Sequence, residues 1–258
     1  MQSRLKKLLS AGRPAIGAQL RFGSPAIAEL YGHGGFDWLV VDTEHAPQSP
    51  QSIMAQLMAI DNTPATPVVR VPKVDPEQIL LALDLGAMGI VAAFVETAEQ
   101  AAIGARACRY PPEGTRGYGQ SRSAAYGFKA TEYREQINEQ VVFIPMIESA
   151  RGVQNIDEIL AVDGVDTYLL GPADLSMSLG TPLDFGSRAF RDAAAKLKDA
   201  ARRAGKPPGA AIPGSHHDPQ TLRAAIDAGV KAILQGGDQW HLGDVCKRVR
   251  QIRAELGC

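Results

Sequence analysis

Cysteine is scarce: Cys108, Cys246 and Cys258 lie far apart in a chain of 258 residues. Their number is odd and no C-x-x-C pair occurs, which gives no support to a zinc knuckle or a redox motif. A reducing, cytoplasmic setting is the simplest expectation. Net charge is also small, -1 at pH 7 with histidine neutral, so neither nucleic acid nor an acidic membrane surface is an expected partner. No apolar run approaches the ~20 residues of a membrane-spanning helix. The opening segment 1–9 mixes lysine, arginine and leucine without the continuous apolar core of a signal peptide. No G-x-G-x-x-G follows the first strand-like run, and nothing resembles a P-loop or a nucleophile elbow. Internal repeats and low-complexity segments are absent as well.

Apolar residues are present in quantity, 45% of the chain. They fall into short runs at 15–20, 37–42, 66–71, 88–94, 141–147, 166–171, 208–212 and 231–235, separated by helix-like stretches. Continuous apolar runs of this length are expected of strands buried on both faces. Ser24-Pro25, Ser49-Pro50, Asp75-Pro76 and Asp218-Pro219 each place a capping residue before a proline, a helix-start signal. Roughly eight strand–helix units in a row predict a single (β/α)8 TIM barrel over residues 1–258, with an open doubly wound sheet as the alternative. The longest interruption, 110–131, contains Pro111-Pro112 and Gly117-Tyr118-Gly119. A long irregular segment in a compact domain is often functional, though a turn-rich surface excursion has the same composition.

In a barrel the strand C-termini share one mouth, so the residues ending each run are the candidates for chemistry. The run Val141–Ile147 stops at Glu148, and the run 167–170 gives way to Gly171-Pro172-Ala173-Asp174. Two carboxylates on neighbouring strands can share a hard divalent cation. Either one alone can equally cap the helix that follows. Asp42, Glu44 and His45 end the second run and Arg70 the third; Glu96 follows the fourth. Arginine offers fixed charge and a donor fork for a carboxylate or developing oxyanion. His45 can move protons near neutral pH, ligate a metal or cap the turn before Pro47. Asp84 ends a predicted helix, where a carboxylate opposes the dipole; contact with His45 and plain solvation are both open. His216-His217 fits a polar turn as well as a site. Lys231 lies at the wrong strand end for a Schiff base, and Lys73 lacks an evident apolar pocket. Phe36 and Trp38 read as core.

These blocks together resemble the HpcH/HpaI family of metal-dependent pyruvate aldolases, which includes 4-hydroxy-2-oxoheptanedioate and 2-dehydro-3-deoxyglucarate aldolases. The resemblance rests on Gly35-Phe36-Asp37-Trp38, Glu44-His45-Ala46-Pro47, Pro67 to Pro72, Arg109-Tyr110-Pro111-Pro112, Ile147-Glu148 and Gly164 to Ser176. It implies a TIM barrel in a homohexamer, a trimer of dimers that exchange C-terminal helices. It implies Mg2+, Mn2+ or Co2+ on Glu148 and Asp174, and Arg70 against a bound 2-oxo acid. His45, oriented by Asp84, would transfer protons with a metal-bound water. Gly171, Pro172 and Ala173 would hold the substrate carboxylate through main-chain groups. The 110–131 loop, with Arg116, would approach the site. Met146 stands where the family commonly has glutamine, and a thioether is a poor replacement for an amide, which leaves open a donor or acceptor preference different from that for plain pyruvate. The implied reaction is reversible cleavage of a 4-hydroxy-2-oxo acid to a 2-oxo acid and an aldehyde. A decarboxylase, a CoA-thioester lyase and a non-catalytic barrel are the alternatives; Arg116 and Arg122 make no convincing CoA patch.

Overall fold

Local signals set most of the element boundaries. In the computed structural model, which describes residues 2–212 and 218–257, helices α2 (Pro25–His33), α3 (Pro50–Asp61), α4 (Pro76–Asp84) and α11 (Pro219–Asp227) all begin at the predicted prolines. Ser24, Ser49, Asp75 and Asp218 accept first-turn backbone N–H groups, as N-caps do. The short helix α1 (Arg4–Ser10) precedes the first strand. Between α4 and α11 run α5 (Ala98–Ala107), α6 (Ala130–Gln140), α7 (Ala150–Gln154), α8 (Ile156–Ala161), α9 (Pro172–Ser178) and α10 (Arg188–Arg203). The chain continues into α12 (Asp238–Leu256).

Eight parallel strands close into a barrel in sequence order: β1 (Ala15–Leu20), β2 (Trp38–Asp42), β3 (Thr66–Val71), β4 (Gly89–Ala92), β5 (Val142–Ile147), β6 (Leu169–Leu170), β7 (Gly209–Ala211) and β8 (Ala232–Gly237). This is the TIM barrel, not the open sheet. Three strands, β4, β6 and β7, are two or more residues shorter than their apolar runs predict. Phe94 takes a positive φ of 51°, which turns the backbone out of the ladder after Ala92. The 166–171 run keeps only two ladder residues.

Side chains alternate across a strand, and two clusters record that alternation. Trp38, Val40, Val68, Val91, Val142, Ile144, Met146 and Leu169 fill the barrel interior, and Leu5 and Leu9 of α1 join that cluster. Leu39, Val41, Val69, Ile90, Phe143 and Leu170 belong to the layer between strands and helices. Trp38 is fully buried and occupies space that a side chain at position 17 would need: a Cβ on Gly17 would overlap its ring. Continuing the inner-face parity by one step past the apolar residues reaches Asp42, Arg70 and Glu148. The same alternation that packs the interior therefore turns these groups inward at the mouth. The β2–β3 register pairs Asp42 directly with Arg70.

The segment after α5 stays irregular from Tyr110 to Ser121, then forms a 3-10 stretch over Arg122–Gly127. It lies between a helix end and the start of the next strand. The topology places it toward the strand N-termini, away from this chain's own mouth.

Candidate active site

Asp42 organises the mouth. Its carboxylate accepts Arg70 Nε at 2.9 Å and Arg70 Nη2 at 2.5 Å, a two-pronged grip. It also accepts Arg21 Nε at 2.9 Å and the backbone N–H groups of Glu44 and His45 at 3.0 and 3.3 Å. Burial alone would raise this carboxyl. The Arg70 contacts, the Glu44 N–H and Arg21 outweigh it and hold Asp42 below the ordinary carboxylate range. Thr43 fastens the same loop by donating its N–H and hydroxyl to the Arg70 carbonyl, at 3.1 and 2.6 Å.

The grip consumes one edge of the guanidinium and leaves Nη1 facing the site. Nη1 stands 3.2 Å from Glu44 Oε2 and 4.0 Å from Met146 Sδ. His45 Nε2 lies 3.7 Å from the same Glu44 oxygen, with its side chain half exposed. Across the mouth Glu148 is 2% exposed, and its Oε1 accepts the Phe94 N–H at 2.8 Å. The positive φ of Phe94, uncommon for a bulky residue, belongs to the residue presenting that N–H. Glu148 Oε2 points toward Gly171, where a Cβ would come within 2.5 Å of it and 2.7 Å from Met146 Cε.

The helix-capping alternative fails for both carboxylates. Ser149, not Glu148, caps α7. Asp174 lies inside the first turn of α9, whose N-cap is Gly171. Among the described residues the Asp174 side chain has no hydrogen bond or ion pair. Burial pushes the Glu148 carboxyl up to about 7, helped by the Glu44 and Asp174 charges and opposed by the Phe94 N–H and Arg70. Burial likewise raises Glu44, with Arg70 and His45 pulling the other way and Asp42 and Asp174 adding to the rise.

Glu44, Glu148 and Asp174 are three mutually repelling carboxylates, oxygen donors of the kind that suits a hard divalent cation. No group of three His, Cys, Asp or Glu side chains meets metal-ligand geometry among the described residues.

Other expected participants fall elsewhere. Asp84 ends α4, toward the strand N-termini, and bonds Arg116 Nη2 at 2.9 Å rather than His45. A helix that follows a strand returns its last residue to the opposite end of the barrel, so within one chain this pairing is excluded. Arg116 is held by Asp84 and the Tyr133 hydroxyl and stacks on Tyr110; it does not reach this chain's mouth. Glu96 accepts the Ser149 hydroxyl at 2.6 Å and ties two loops together. Lys73 is exposed beside Asp75. His216-His217 lie outside the described residues. Two participants escaped sequence reasoning. Arg21 follows β1 directly and was accessible to the strand-end rule; its guanidinium lies 4.5 Å from the Trp240 ring. The Phe94 N–H had no sequence signal.

The sequence model of the HpcH/HpaI aldolase/citrate lyase family matches residues 20–239. The chain belongs to that family. A hydroxypyruvate/pyruvate aldolase of Roseobacter denitrificans is 39% identical over 237 residues, covering 90% of each chain. A 4-hydroxy-2-oxovalerate aldolase of Novosphingobium aromaticivorans is 39% identical over 98% of this chain and 96% of its own. Among solved structures, an HpcH/HpaI aldolase/citrate lyase family protein of Burkholderia cenocepacia superposes with a TM-score of 0.90 at 35% identity, covering 98% of this chain and all of that one. The family match spans the mouth residues described above from Arg21 to Asp174.

Proposed function

We propose that this HpcH/HpaI protein is a class II aldolase that reversibly cleaves 4-hydroxy-2-oxo acids to pyruvate or hydroxypyruvate and an aldehyde. The observation that carries the reading is one mouth that holds Arg70, its Nη1 against Glu44, together with the underbalanced pair Glu148 and Asp174. Those two carboxylates would hold Mg2+, Mn2+ or Co2+, which supplies Lewis acidity toward the keto oxygen of a bound 2-oxo acid.

The chain's own groups do the rest. Arg70 Nη1 donates to the substrate oxygen on which charge develops; its orientation is set in advance by the Asp42 grip, so little reorganisation is needed. The N–H groups of Ala173 and Asp174, beyond Gly171 and Pro172, open α9 without intrahelical acceptors and face the substrate carboxylate. His45 takes the proton of the C4 hydroxyl. The C4 oxygen then closes its carbonyl, the C3–C4 bond breaks, and its electron pair passes to the keto acid as an enolate. Return of a proton to C3 completes the 2-oxo acid. Met146, a buried thioether beside Arg70, leaves that part of the pocket without an amide and favours a changed donor.

Residues 1–258 form one barrel domain in this reading, acting in the cytoplasm. A homohexamer built through α12 is supported by that helix: Leu242, Val245, Val249, Ile252 and Leu256 are all exposed, and only Asp238 of α12 is buried. The deciding experiment is C3 proton exchange of pyruvate and of hydroxypyruvate in deuterated water, followed by NMR with Mg2+ or Mn2+ and with a chelator. Metal-dependent exchange is expected. Its absence for both acids in metal-loaded protein would refute the aldolase reading.

A further inference from the structure

We propose that Arg21 is a positioning residue that fixes the aim of Arg70 through Asp42 and is itself held by the first turn of α12. The role rests on the aldolase reading, in which Arg70 Nη1 meets the oxygen where charge develops. The Asp42 carboxylate is fastened unevenly. Its Oδ1 accepts Arg70 Nε and the N–H groups of Glu44 and His45, from the loop that Asp42 itself begins. Among the described residues its Oδ2 accepts only Arg70 Nη2 at 2.5 Å and Arg21 Nε at 2.9 Å. Arg21 is therefore the contact on Oδ2 that comes from neither the loop nor the group being positioned.

That contact matters because the last torsion of an aspartate is soft, with a broad rather than staggered profile. A two-pronged arginine–carboxylate pair is planar, so a carboxylate that turns carries the guanidinium with it. Arg70 Nη1, 3.2 Å from Glu44 Oε2, would then sweep across the mouth. Strand β2 lies between β1 and β3, so Asp42 is gripped from both neighbouring strands and the rotation is closed. The first turn of α12 in turn holds Arg21 by backbone and side chain. Asp238, 1% exposed, accepts the Arg21 N–H at 3.0 Å and the Phe22 N–H at 3.1 Å. Arg21 Nη1 donates to Gln239 Oε1 at 3.2 Å, and the guanidinium lies 4.5 Å from the Trp240 ring centroid, within cation–π range. A path of direct contacts thus runs from the start of α12 through Arg21 and Asp42 to Arg70. Glu148 and Asp174 take no part in it.

The test uses assembled, metal-loaded protein and the variants Arg21→Ala, Arg21→Lys, Trp240→Ala and Arg21→Ala/Trp240→Ala. Cleavage of 4-hydroxy-2-oxovalerate, Mg2+ affinity by calorimetry and molar mass by light scattering are measured. Arg21→Ala is expected to lower kcat by about 10-fold, the low end for groups that orient a working residue. KM and the Mg2+ dissociation constant should stay within about threefold of wild type, the pattern of an interaction lost mainly in the transition state. A role in stability alone would lower the melting temperature and leave the kcat of folded protein untouched. Arg21→Lys, whose ammonium reaches toward Asp42 without the fork, should recover part of the loss. Trp240→Ala should lower kcat less than Arg21→Ala does, and the double variant should match Arg21→Ala, because Trp240 acts through Arg21. Four outcomes overturn the assignment: an unchanged kcat in folded Arg21→Ala, losses that multiply in the double variant, Mg2+ binding weakened about as much as in Glu148→Ala, or a kcat loss that accompanies a changed molar mass. Should Arg21→Ala not fold, wild-type kcat in both Arg21→Lys and Trp240→Ala overturns it. A wild-type protein that cleaves no 4-hydroxy-2-oxo acid under these conditions overturns the aldolase reading and this role with it. With an active wild type, the variants bear on Arg21 alone.

Discussion

Asp42 shows how much one buried carboxylate can hold at the residue scale. It satisfies two guanidinium groups and two backbone N–H groups at once. Asp42→Asn removes the charge while leaving Arg70 almost fully buried. Breaking a buried ion pair from one side costs about 3–5 kcal/mol, so thermal unfolding should show a clear loss of stability together with lost activity. Gly171 is a second sensitive position. An added Cβ would meet Glu148 Oε2 at 2.5 Å. Gly171→Ala should displace the glutamate and weaken metal binding, measured by calorimetry, while circular dichroism stays that of the folded barrel. Glu148→Ala and Asp174→Ala should each abolish metal-dependent exchange without unfolding; near-normal exchange in either would end the metal assignment.

At the scale of elements, the barrel depends on close approach between helices and strands. Gly104 lets α5 lie against β5, since a Cβ there would overlap the Phe143 ring. Gly104→Ala sets a better helix former against overpacking. Overpacking costs about 1–3 kcal/mol and the propensity gain offsets only about 1 kcal/mol, so the melting temperature should fall. The predicted helix starts at Pro25, Pro50, Pro76 and Pro219 were legible because capping is local and carried by adjacent residues. The end of β4 was not, because the turn at Phe94 answers to Glu148, 54 residues further along.

For the whole molecule, the crowded carboxylates link stability to pH. Glu148 titrates near 7 in the fold against about 4.3 in an unfolded chain. Between these values the folded state binds more protons than the unfolded state, so stability falls as pH rises. Metal-free protein should lose thermal stability from about pH 4.5 to about pH 7, and saturating Mg2+ should reduce that dependence by favouring the charged form; a flat profile without metal would contradict the burial of Glu148. The exposed α12 stripe makes a separate prediction. Val249→Asp should reduce the molar mass in light scattering if that helix joins subunits, and leave it unchanged if it does not.

The amino-acid sequence by itself determined the order of elements and the set of strand-end residues, and it favoured the barrel over an open sheet. Each of these follows from short-range rules: a period of two in strands, caps at helix starts, and apolar runs where both faces are covered. It also marked Arg70, Glu148 and Asp174, because polar residues ending apolar strands must emerge at one rim. Only the tertiary structure decided who faces whom across that rim. Asp84 belongs to Arg116 because α4 carries its last residue to the far end of the barrel. Glu44 meets Arg70 and His45 because the β2–β3 register sets Asp42 beside Arg70 and folds the following loop over both. Pairings of this kind depend on strand register and ring closure, which bring together residues whose separation along the chain carries no mark of their contact.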